Sequence, residues 1–193
     1  MLLTLTLVFA PTAGARAARR APLIRAEAYA VVGAIAGPDV RVRCTITQDG
    51  VFDALGHVDW RMRRIELAPR ICRRLNGLVS AAATPATSAS FTQAEALLVL
   101  VHESVHLSTY EGRSDEALTE CRAIQLVHVA ARMLGLDDAT ARALGHEAMR
   151  YDAELPGPGN WMVGLHEIPS YHSPDCHDDG PLDIDPESHD WPN

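Results

Sequence analysis

Five consecutive residues, His102-Glu103-Ser104-Val105-His106, carry the most specific chemical pattern in the chain. On a helix, histidines four apart lie on one face, one turn above the other, where both imidazoles can hold a single tetrahedral metal ion. Glu103 directly follows the first histidine, so its carboxylate reaches the flank of that site. From there it can take a proton from a zinc-bound water, the metal having lowered that water's pKa to about 7. The pattern also arises by chance, and its setting strengthens it: a strongly apolar run precedes it, and the residues after Glu103 and before His106 are uncharged. Without a metal, the same histidines would be helix-face residues paired to carboxylates.

A hydrolytic zinc site takes three protein ligands and keeps its fourth position open. Glu116 and Glu120, four apart, lie on one face of the helix expected next. The connection is short, so the two helices should be antiparallel neighbours. Counting back from a turn at Gly112 puts Glu120 nearer the level of the histidines than Glu116, and both stay open as the third ligand. An acidic helix start would also suit the helix dipole with no metal present.

With these residues in place, the sequence resembles the gluzincin branch of the HExxH zinc peptidases. The second motif of that branch, Asn-Glu-x-x-Ser-Asp or a relaxed form, is approached by Asp115-Glu116-Ala117-Leu118-Thr119-Glu120. The resemblance implies that Glu116 is the third ligand and that Glu120 orients a ligand histidine through a hydrogen bond. It covers roughly residues 54–135. The interval from His106 to Glu116 is short for the branch, and the large second lobe that usually closes the cleft is missing. The tail, with Tyr171-His172-Ser173-Pro174-Asp175-Cys176, is similar to exported actinobacterial proteins that carry the same helix and bring no activity with them.

The elements that must position these residues can be read along the chain. Residues 23–36 are apolar and small without a clear period. Residues 40–47 alternate as a half-buried strand, and residues 54–67 suggest two more short strands around Trp60–Arg63. The last, Arg64–Leu67, is the candidate edge strand to hold an extended peptide along the cleft. Pro69 can open a short helix through Leu75, stopped by Asn76-Gly77, and residues 80–90 read as a loop. Thr92 with Glu95 forms a capping box for the motif helix, which should run to about Tyr110. Ser114 should cap a helix over Asp115–Leu134 ended by Gly135, and Asp137 a third helix to Glu154. The expected fold is α+β: a small antiparallel sheet followed by a helical bundle, a minimal zincin-like domain over 23–160 with an irregular tail over 161–193 packed on it.

Cys44, Cys72, Cys121 and Cys176 contain no C-x-x-C pair, so disulfides suit them better than metal. The layout favours Cys44–Cys72 and Cys121–Cys176. The second pairing would pin the tail beside Glu120 and bring Tyr171, His172 and His177 towards the metal, where Tyr171 or His172 could donate to an oxyanion. If His172, Asp175 or His177 instead closed the metal's coordination, the site would be structural. His128, His146 and His166 lack a partner histidine at the right spacing and read as core or surface residues.

Composition sets the compartment and the partners. Residues 1–15 read as a signal peptide: an apolar run over Leu2–Ala10, then Ala13-Gly14-Ala15, although no Lys or Arg precedes the run. The run is too short for a stable membrane span. Disulfides and a signal together point to a secreted or extracytoplasmic protein. The net charge of -8, with the arginines clustered only locally at 61–64 and 70–74, argues against nucleic acid as partner. The expectation is therefore a zinc hydrolase holding one Zn2+, acting on a peptide or protein substrate, its oligomeric state open. The alternative is a non-catalytic zincin-like binding module with a structural or vestigial metal site.

Overall fold

In the computed structural model, the described residues are 23–45, 55–82, 89–108, 115–154, 162–163, 166–167 and 173–184. The expected signal segment, together with Tyr171 and His172, lies outside them.

Residues 23–36, ambiguous in sequence, form helix α1 (Ala26–Ala36), which buries Ala28, Val31, Val32 and Ala36. The first strand is shorter than the alternation suggests: β1 covers Arg41–Arg43, with Val42 turned inward. Strands β2 (Gly56–Asp59) and β3 (Arg64–Leu67) form a hairpin through Trp60–Arg63, and Arg63 takes the left-handed conformation with φ 45°.

The sheet is mixed, with order β1-β3-β2, and corrects the antiparallel expectation. The tight hairpin forces β2 against β3 in antiparallel register, Gly56 opposite Leu67 and Val58 opposite Ile65. The longer connection from β1 lets that strand lie on the other side of β3 in parallel, Val42 opposite Ile65. Arg64–Leu67 is thus the central strand, hydrogen-bonded on both sides, and cannot take a peptide. The sheet edges are β1 and β2.

Helix α2 (Pro69–Ala81) opens on Pro69 as expected but continues through Asn76 and Gly77. Leu78 and Val79 beyond the presumed stop are buried. Asn76 spends its side chain on tertiary bonds, accepting from the Arg25 N–H at 3.1 Å and donating to the Leu23 carbonyl at 2.7 Å. Helix α3 (Phe91–Ser108) opens before Thr92, which lies inside its first turn. Ser90 and Gln93 pair at its start, Ser90 donating from backbone and hydroxyl to Gln93 Oε1, while Glu95 pairs with Arg74.

Helix α4 (Glu116–Met133) is capped by Asp115 rather than Ser114, the Asp115 carboxylate accepting from Leu118 N–H at 2.9 Å. Gly135, at φ 90°, follows its end. Asp137 caps α5 (Asp138–Glu154) through the Thr140 N–H. In the tail, β4 (Met162–Val163) pairs with β5 (His166–Glu167), and residues 173–184 form successive turns.

The architecture is α+β, and α3 is its axis. That helix touches α1, α2, α4, α5, β2 and β3. Ala94, Ala96, Leu97, Leu98, Leu100 and Val101 bury its first half on several sides, as suits a helix enclosed all round. Both disulfides of the favoured pairing are present: Cys44–Cys72 ties the end of β1 to α2, and Cys121–Cys176 ties the tail to α4. Gln125, one turn beyond Cys121, clamps the same segment: its amide donates to the Leu182 carbonyl at 3.0 Å and accepts from the Ile184 N–H at 2.7 Å. No helix among the described residues is long and apolar enough to cross a membrane.

Candidate metal centre

Polar side chains are rarely buried without partners, because losing water costs them several kcal/mol. Among the described residues the buried polar and charged side chains are His102, Glu103, Ser104, His106, Thr119 and Glu120. All six come from the facing turns of α3 and α4. Ser104 returns its hydroxyl hydrogen to the Leu100 carbonyl of its own helix; the other five, with half-buried Glu116, form one cluster.

The two histidine rings stack edge to face with centroids 4.6 Å apart, the outcome of i, i+4 spacing on a helix. Helix α4 meets them with residues 116, 119 and 120, which share one helical face. Glu116 Oε2 lies 3.1 Å from His102 Nε2 and 3.2 Å from His106 Nε2. Glu120 Oε2 lies on the other side of the His102 ring, 2.5 Å from Nδ1. Thr119 Oγ1 stands 3.4 Å from His106 Nδ1. The two glutamates differ by ring nitrogen: both reach His102, Glu116 at Nε2 and Glu120 at Nδ1.

His102, His106 and Glu116 each turn one donor atom inward, and these atoms all lie within 4.8 Å of one another. Two donors bound at about 2.1 Å in a tetrahedron stand about 3.4 Å apart, close to the 3.1 and 3.2 Å between Glu116 Oε2 and the two ring nitrogens. Two imidazoles and a carboxylate also form a donor set suited to a borderline-soft divalent ion. The cluster fits a metal ion, and the same groups are joined by ion pairs.

The protonation states follow from that packing. Burial disfavours the His102 cation, but hydrogen bonds to Glu116 and Glu120 and the nearby negative charge outweigh it and raise the ring to about 10. Burial likewise works against the Glu116 anion, and hydrogen bonds from both histidines overcome it, holding that carboxyl down at about 2. For Glu103 burial prevails over the attraction of His102 and His106 and pushes the carboxyl up to about 7.

Two residues of the sheet complete the surroundings, and neither carries a sequence signal for the role. Trp60, at the hairpin turn, meets the His106 ring edge to face at 5.7 Å. Gly56, in β2, lies directly against the Glu103 side chain. The described tail residues do not join the cluster: His177 is exposed with Nδ1 2.8 Å from the Asp178 carbonyl, and Asp175 is exposed. His128 and His146, on α4 and α5, are also apart from the metal-competent group. No protein-family model, no curated protein and no solved structure matches this chain.

Proposed function

We propose that the protein is an exported zinc hydrolase, most closely suited to peptide bonds, with His102, His106 and Glu116 as metal ligands and Glu103 as general base. The observation that carries this reading is the convergence of two imidazole nitrogens on one carboxylate oxygen at 3.1 and 3.2 Å, beside a buried glutamate.

A zinc ion held there would supply Lewis acidity, polarising a carbonyl and acidifying water. The protein's own groups do the rest. Glu120 holds the His102 ring through Nδ1, which directs its Nε2 to the metal position. Glu103, its carboxyl shifted to about 7, can take up and return a proton near neutral pH. Edge strand β2 runs beside the site, with Gly56 at Glu103 and Trp60 at His106. Its outer backbone groups suit an extended peptide better than the enclosed β3. Peptide as the substrate rests on the resemblance to the HExxH peptidases, and export on the apolar N-terminal run and the two disulfides.

A second reading has its own support. Ion pairs already join Glu116 to both histidines and Glu120 to His102, so the cluster can be satisfied without metal as the core of a binding module. Elemental analysis of the purified protein and of His106→Ala separates the two. About one zinc per chain in the parent and little in the variant supports the metal site; metal in neither leaves the scaffold. Glu103→Gln then tests catalysis: hydrolysis of peptides should vanish while zinc and folding persist.

A further inference from the structure

A glycine inside a strand weakens it, and one that persists often marks a close approach by another group. Gly56 is such a residue. It is the first residue of β2, paired with Leu67 of β3, and its backbone is outside the left-handed region, so no dihedral demands glycine. Space does. A Cβ at position 56 would overlap Glu103 Oε1 and stand 2.7 Å from Cγ and 2.8 Å from Cδ. Real carbon atoms do not approach so closely. Three successive atoms are involved, so rotating the carboxyl plane alone cannot relieve the overlap; the side chain must swing away from its place.

The inward face of β2 therefore reads as a missing side chain at 56 followed by buried Val58, and the missing volume is filled by the glutamate of the neighbouring helix. Gly56 lies 47 positions upstream of Glu103. We infer that Gly56 is a positioning residue: its bare Cα is the seat that fixes the Glu103 carboxylate beside the metal ligands. The inference rests on the proposed hydrolase only for the consequence to turnover; the seat itself is a property of the metal-free protein.

The test uses the full chain and four proteins: parent, Gly56→Ala, Glu103→Ala and the double variant. Urea unfolding is followed in chelator. Gly56→Ala should lower the midpoint in the parent and leave it unchanged or raise it in the Glu103→Ala background. Equal shifts in both backgrounds would overturn the inference. If Gly56→Ala fails to fold, recovery of folding in the double variant supports the seat, and failure of both overturns it. Zinc is the second readout: Gly56→Ala should retain as much zinc as the parent, since no ligand is displaced, and loss of zinc would mean a general disturbance rather than a glutamate seat. Where the parent cleaves a pooled fluorogenic peptide library, Gly56→Ala should lose about a hundredfold or more in rate. Coupling in urea together with a parent that holds no zinc would sink the hydrolase and keep the seat.

Discussion

His102 donates from Nδ1 to the Glu120 carboxylate across 2.5 Å, and both side chains are buried. This bond fixes the tilt of the ring, so Nε2 faces the donor atoms of His106 and Glu116. With a metal held there, Glu120 would act on it through a histidine, and Glu116 would act directly. The two acidic residues should differ accordingly. Glu120→Ala should weaken zinc binding about 10–100-fold, and Glu116→Ala should weaken it more. Competition against a chromophoric chelator measures both; the reverse ranking would exchange their roles.

Zinc and protons should compete at His102. The ring titrates near 10 in the metal-free protein, against an ordinary 6.5. Below that pH, a metal must displace a proton, so apparent affinity should climb about tenfold per pH unit from roughly pH 7 to 9. Loading near neutral pH should release about one proton per zinc, detectable with an indicator dye in weak buffer. The same shift sets metal-free stability: a folded pKa raised above the unfolded value contributes fully below pH 6.5 and is lost as pH rises through about 10. Affinity independent of pH would contradict the ion-paired His102.

Glu103 carries the opposite sign. Its folded pKa rises from 4.5 to about 7, so the folded state holds its proton more tightly than the unfolded state. Ionising it costs stability as pH climbs from 4.5 through 7, with the full cost above. In chelator at pH 8, Glu103→Gln should be more stable than the parent by up to about 3 kcal/mol, and the gap should close near pH 4.5. Urea unfolding at the two pH values checks this; a variant less stable at pH 8 would refute it.

Gly77 offers a gain elsewhere. It is exposed inside α2, and a Cβ there meets nothing within 4 Å. Gly77→Ala should stabilise by about 0.5–1 kcal/mol through backbone entropy, read as a higher urea midpoint with unchanged slope.

The sequence was most legible where spacing is local. His102, His106, Glu116 and Glu120 are brought together by i, i+4 geometry on two consecutive helices, and the four cysteines paired as the layout favoured. Level-counting from the hairpin could not separate the glutamates, because it treats a histidine as one point when its two nitrogens face opposite partners. Tertiary effects were less readable. Asn76-Gly77 looked like a stop because the burial of Leu78 and Val79 against other elements has no local signature. The parallel position of β1 follows from a long connection rather than from its alternation. Gly56 and Trp60 belong to the site through approaches across more than forty residues.

The cluster and its strap draw on different lengths of chain. His102 to Glu120 is one contiguous stretch of sequence. Cys176 follows Cys121 by 55 residues. Upstream of Cys121 the chain holds only Cys44 and Cys72, each paired with the other. Once Cys44–Cys72 has closed, Cys121 has no free cysteine upstream with which to mispair, and its remaining partner is Cys176 in the tail.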